Sequence, residues 1–179
     1  MRIETKRPYL REMTEDDYTA LFCRACRLRY HAALSLYLRR GAGARLDRPQ
    51  SGRYRVFGFG LFAVCLREMG EMIGDCGLTM QNIGGHILPE IGYHIARAHQ
   101  RQGYAAEAAC AVRDRMFETT PFGMLFSYMK QENLPSAATA RAAGMHLLGS
   151  YTDGEGEQTA VYGISRKEWQ AGRYASAAE

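Results

Sequence analysis

Residues 89–110 read PEIGYHIARAHQRQGYAAEAAC, and the interpretation of this stretch decides the fold. The apolar and aromatic run over 90–96 predicts a strand. Residues 97–102 form a basic turn ending at Gly103, and 104–118 predict a helix. In that helix Ala105, Ala108, Val112 and Met116 recur at the spacing of one buried face, with Glu107, Asp114 and Glu118 on the other. A glycine at the start of a helix that follows a strand and turn leaves several backbone N–H groups free at the positive end of the helix dipole. Such a point binds phosphate. Arg101 adds a side-chain charge, and the small residues Ala105 and Ala106 keep the backbone approachable. The turn lacks the glycine–lysine–serine/threonine cluster of a Walker loop and the three glycines of a dinucleotide fingerprint. Taken alone, it fits an ordinary helix start in an α/β domain equally well.

Working outward, residues 7–13 read as a first strand, and Thr14 is placed to cap a helix whose first turn holds Glu15, Asp16 and Asp17. Helices are expected over 15–24 and 27–40, stopped by Gly41. A glycine- and arginine-rich loop follows over 41–55, either a solvated basic loop or a flap over a substrate site. The nearly continuous apolar run 59–67 predicts a strand covered on both faces. Strands over 72–81 and 87–96 are joined at Gly84-Gly85. After the central helix, residues 123–130 predict a strand parallel to the key strand. A short helix opens at Asn133–Ser136 and ends at Gly144. Closing strands are expected at 146–152 and 159–164, then a helix over 166–173 and a frayed end at 174–179. No repeat or internal boundary is visible, so 1–179 reads as one domain with its core over about 8–165.

The 179 residues suffice to bury a core, and the hydrophobic fraction of 46% is ordinary for a globular chain. There is no 18-residue apolar run and no signal-type apolar segment at the start, so a cytoplasmic protein without a membrane partner is expected. The net charge of +4 rests on arginine, with Lys6, Lys130 and Lys167 the only lysines. It is too small to imply nucleic-acid binding but favours a polyanionic ligand. The five cysteines show no disulfide spacing. Cys23 and Cys26, with His31 nearby, lack a second metal-binding pair, and reduced thiols without metal are expected.

The hexapeptide Gln100-Arg101-Gln102-Gly103-Tyr104-Ala105 resembles the acyl-CoA pyrophosphate signature of the GNAT N-acetyltransferase superfamily, Gln/Arg-x-x-Gly-x-Gly/Ala. The longer run GYHIARAHQRQGYAAEA is similar to the branch containing the ribosomal-protein N-terminal acetyltransferases and many small bacterial members. RPYLREMTEDDYTALF and EMIGDCGL before it, and Asn133–Ser136 and AAGM after it, extend the resemblance over about 8–165. The resemblance implies an α/β (α+β) fold: a mixed, mostly antiparallel central sheet of six to seven strands, helices on both faces and a splayed parallel pair at the cofactor site. It implies acetyl-CoA as cosubstrate, no metal, and direct acetyl transfer to a primary amine, either a protein N-terminus or a small molecule. A monomer or homodimer is expected.

On this resemblance the amides of Arg101, Gln102, Gly103, Tyr104, Ala105 and Ala106 would hold the pyrophosphate. Those of Tyr93, His94, Ile95 and Ala96 would hold the pantetheine arm as if it were another strand. An amide there would also polarise the thioester carbonyl. An amine attacks only when neutral, and an α-amine, with its pKa of about 7.7–8.0, needs less help than a lysine at about 10.4. Glu90 is the candidate to receive its proton, through water, with a solvated strand-end carboxylate as the equal alternative. His94 shares a face with Glu90 but lies about 13 Å along the strand, too far for a direct bond, and reads as a structural or surface group. Many relatives carry a tyrosine acid seven positions after the asparagine. Here that position is Ala140, so Ser136 becomes the candidate to protonate the leaving thiolate, with Asn133 binding the pantetheine or capping the helix. A non-catalytic acyl-CoA sensor of the same fold is the alternative.

Overall fold

The computed structural model describes residues 1–14, 16, 17, 54 and 56–177. The helices expected over 15–24 and 27–40, the 41–55 loop, Cys23, Cys26 and His31 therefore lie outside the described residues, apart from those isolated positions. The described elements are β1 (Arg2–Glu4), β2 (Pro8–Glu12), β3 (Leu61–Leu66), β4 (Met72–Ile83), β5 (His86–Ile95), a 3-10 turn (Arg97–His99), α1 (Tyr104–Thr119), β6 (Met124–Lys130), α2 (Leu134–Ala142), β7 (His146–Thr152), β8 (Gln158–Ser165) and α3 (Arg166–Ala177).

The strands form one sheet in the order β1-β2-β3-β4-β5-β6-β8-β7. It has eight strands rather than six to seven. The addition is β1, whose three residues alternate two charges around Ile3 and carry too short a pattern to register in the sequence. Every neighbouring pair is antiparallel except β5 and β6. β4 and β5 form a long hairpin from Gly74↔Ile95 to Ile83↔His86. Its two-residue turn holds Gly84 and Gly85 at φ of 58° and 89°, the pair of positive angles a tight hairpin turn requires. β5 and β6, by contrast, meet at a single pair, Glu90↔Phe126. Beyond it the two parallel strands are not hydrogen-bonded, which is the splay expected at the cofactor site.

The main core lies between the sheet and the described helices. Cys76, Leu78, Ile91, Ile95, Leu125 and Tyr162 point from the strands toward Ala108, Val112 and Met116 of α1, Ala137 and Ala140 of α2, and Trp169 of α3. Trp169 Nε1 donates to Asp114 Oδ1 at 2.7 Å, and its ring lies 5.2 Å from that of Phe117. α3 runs from Arg166 to Ala177. The other face of the sheet holds a smaller apolar cluster of Met13, Ala63 and Cys65. Phe62, Ala63, Val64 and Cys65 are all fully buried, so β3 is covered on both faces as its unbroken apolar run requires. Among the described residues all three helices pack on one face.

Candidate active site

Three features converge where β5 ends. The first is the turn into α1. Gly103 is the N-cap residue at φ 85°, and no side chain caps the helix. The first helical bond is Glu107 N–H to Gly103 O, so the amides of Tyr104, Ala105 and Ala106 have no intrahelical acceptor. Arg101 is in the left-handed region at φ 63°, rare for a non-glycine residue, and its side chain is exposed and makes no ion pair among the described residues. Gln102 turns back to donate through Nε2 to Ala98 O at 3.2 Å. The free amides of the first turn and the exposed Arg101 therefore meet at one point of the chain.

One clamp on this turn was not legible in the sequence. Arg7, just before β2, donates its backbone N–H to Glu107 Oε1 at 2.7 Å and its Nε–H to Glu107 Oε2 at 2.9 Å. Its Nη1 donates to Gln102 O at 2.8 Å, and its guanidinium lies 4.7 Å from the centre of the Tyr104 ring. A Cβ at Gly103 would come within 3.1 Å of Arg7 Nη2. Nothing in a 100-residue separation signals such a pair.

The second feature is the open side of β5. Ala96 N–H donates to Ile73 O at 2.7 Å, so strand alternation sends the His94 amide toward β4 as well. The amides of Tyr93 and Ile95 point to the β6 side, where no strand pairs with them. His94 and Ala96 are therefore corrections to the four-amide expectation, because their N–H groups belong to the β4 ladder. Gln100 Nε2 already donates to Ile95 O at 2.8 Å.

The Tyr93 side chain crosses the splay. Its hydroxyl donates to Ser136 O at 2.8 Å and lies 3.4 Å from both Ser136 Oγ and Ser127 Oγ, joining β5, β6 and α2. Burial pushes its pKa up to about 12, so the phenol stays protonated. Asn133 Oδ1 accepts from Ser136 N–H at 3.2 Å, the helix cap expected from its position. Ala140, the position at which the resemblance implies a tyrosine in many relatives, is fully buried in the main core.

The third feature lies on the opposite face of β5, where cross-strand pairs set Thr79 beside Glu90, Gly77 beside Gly92 and Asp75 beside His94. Glu90 is 8% exposed, and Thr79 Oγ1 donates to its Oε2 at 3.3 Å. It is no solvated strand-end carboxylate. Loss of solvent raises its pKa to about 7, with Asp75 pushing the same way and His94 and Thr79 opposing. His94 Nδ1 lies 3.0 Å from Asp75 Oδ1, so the imidazole is held by a buried acid that the sequence reading had not singled out. Burial opposes its charge, but Asp75, its hydrogen bond and Glu90 outweigh that and raise the His94 pKa above the ordinary value.

A match to the Acetyltransferase (GNAT) domain family covers residues 7–146. The chain belongs to the GNAT family. Bacillus subtilis YkkB is 37% identical over 90 residues, 50% of this chain and 52% of YkkB, so the chain spans about half the length of that relative. Over nearly the whole chain, the fold is similar to that of an acetyltransferase from Agrobacterium tumefaciens, with 30% identity, a TM-score of 0.68 and coverage of 92% and 94% of the two chains. It is similar as well to RimL, a ribosomal alpha-N-protein acetyltransferase solved in complex with coenzyme A, with a TM-score of 0.68 and coverage of 92% and 98%. At 17% identity this last likeness speaks for the GNAT fold alone.

Proposed function

We propose that this chain is an N-acetyltransferase moving an acetyl group from acetyl-CoA directly to a primary amine, with a protein α-amine or a small-molecule amine as acceptor. The observation that carries the reading is the position of Glu90, a buried carboxylate at the one pair joining β5 to β6, where the splay opens. The residues fit an acyl-CoA. The uncapped first turn of α1 and the exposed Arg101 suit its pyrophosphate, and the unpaired Tyr93 and Ile95 amides suit its amide-bearing arm. When bound, acetyl-CoA supplies the activated acetyl group; the remaining chemistry falls to the protein.

Glu90 accepts the proton of the attacking amine. A carboxylate with a pKa of about 7 is matched to that work near neutral pH, where an α-amine is already partly neutral. The Ile95 or Tyr93 N–H stabilises the developing oxyanion. Ser136, held by Asn133 and Tyr93, stands at the α2 N-terminus to donate to the leaving sulfur. The resemblance of residues 92–108 to the ribosomal-protein N-terminal acetyltransferase branch supports the α-amine among the acceptors.

The test is release of free thiol from acetyl-CoA with a panel of peptides bearing a free α-amine, polyamines and amino sugars. Turnover with one class, lost in Glu90→Gln, supports the reading. Binding of acetyl-CoA without turnover on any amine would leave the sensor reading standing instead.

A further inference from the structure

A buried base faces a disposal problem. Each turnover delivers a proton to Glu90, whose surroundings are Thr79, the ring-bearing Phe126 pair position and only 8% exposure. The row of side chains on its face offers one way out. Next along comes Gly77 beside Gly92, a pair without side chains, and then Asp75 beside His94. The Glu90 carboxylate leans into the gap: a Cβ on Gly92 would lie 3.2 Å from Oε2 and 3.4 Å from Oε1. On the far side of the gap His94 keeps 37% of its side chain exposed, while Asp75 keeps 3%. Asp75 Oδ2 is buried without a hydrogen-bond partner, a sign of a polar site built for something more than the pair alone.

We propose that His94, oriented by Asp75, is the exit through which Glu90 returns its proton to solvent. The inference rests on Glu90 acting as the base. A carboxylate only accepts, so Asp75 fixes the proton of neutral His94 on Nδ1 and leaves Nε2 to exchange. The amine proton converts Glu90 to the acid. Through a water in the glycine gap it passes to Nε2, giving an imidazolium paired with Asp75, and Nε2 then releases it to bulk water. Glu90 is again a carboxylate, and charge and protons balance. The glycines carry this design: a side chain at position 92 would fill the space the Glu90 carboxylate occupies.

The row itself holds Asp75, Glu90 and His94, and Tyr128 lies on the same face of β6, two residues beyond Phe126. Farther across the sheet the row continues through Ala63 to Arg11, which is engaged by Asp17 at 2.6 Å. His94 acts through Glu90 and is a positioning and relay residue.

Two measurements on the full chain test this. In protein labelled with 15N-histidine, His94 (assigned by loss of its signal in His94→Gln) is expected as the Nδ1-protonated tautomer. Its titration midpoint should lie above about 6.5 and fall in both Glu90→Gln and Asp75→Asn. An unchanged midpoint in Glu90→Gln overturns the coupling, whatever the acceptor proves to be. With acetyl-CoA and a peptide bearing a free N-terminal alanine, His94→Ala and His94→Gln should lower kcat roughly tenfold and leave the KM for acetyl-CoA within about twofold. Imidazole in the buffer should restore much of the His94→Ala rate. Wild-type kcat in both variants, or a loss that imidazole does not relieve, contradicts the exit. An active Glu90→Gln instead contradicts the base assignment, so the two failures separate.

Discussion

Arg7 and Glu107, a hundred positions apart, are joined by both the backbone N–H and the Nε–H of the arginine, at 2.7 and 2.9 Å. The pair ties the sheet edge to the first turn of α1 and leaves Arg7 Nη1 on Gln102 O. Its worth is in shape more than stability, since Arg7 is 45% exposed and exposed pairs contribute about 0–1 kcal/mol. Arg7→Gln should therefore change the melting temperature little yet weaken acetyl-CoA binding by roughly threefold to tenfold, as the cradle loosens and one nearby positive charge is lost. Calorimetry beside thermal melts checks both halves.

The buried Glu90 sets a pH dependence in two observables. Its folded pKa, about 7, lies above the ordinary 4.5, so its contribution to stability is fully present below about pH 4.5 and is lost as pH rises through 7. Glu90→Gln, which cannot ionise, should be the more stable protein at pH 8 by about 1–3 kcal/mol, and near equal to wild type at pH 4.5. Denaturant melts at the two pH values read this directly. Transfer activity runs the opposite way, because the base must be ionised: kcat/KM should rise with pH through about 7 in the wild type.

Tyr93→Phe removes the hydroxyl that joins β5 to Ser136 and Ser127. One lost hydrogen bond to Ser136 O should cost about 1 kcal/mol of stability. Ser136 and Asn133 lose their tether across the splay, so kcat should fall several-fold while the ring, still in place, preserves the fold. A kinetic series of Tyr93→Phe, Ser136→Ala and the double variant checks it. The double variant should be no worse than Ser136→Ala if Tyr93 acts through Ser136.

Much of this architecture was readable from local signals. The turn at Gly103, the Asn133 cap and the Gly84-Gly85 hairpin each follow from a few adjacent residues with strong backbone preferences. The unbroken apolar run of β3 announced cover on both faces. What stayed hidden depends on register. Asp75 sits inside EMIGDCGL without any local mark, and becomes meaningful only when the β4–β5 ladder sets it beside His94. The same ladder, and not the strand's composition, turns the His94 amide toward β4 and away from the open side of β5. Tyr93 was singled out in the sequence only for its backbone amide; its hydroxyl gains partners from α2 and β6 across the splay. Side-chain partners drawn from distant elements leave no period or spacing for a sequence to display.

The most direct measurement is calorimetry of acetyl-CoA with the wild type and with Gly103→Trp. Position 103 sits at φ 85° at the mouth of the α1 turn, so an indole there obstructs the anion cradle. The expected result is wild-type binding in the micromolar range, about −8 kcal/mol, abolished in a variant whose circular dichroism shows it folded. Absence of binding by well-folded wild type would contradict the acetyl-CoA reading, and the GNAT fold would then serve another ligand.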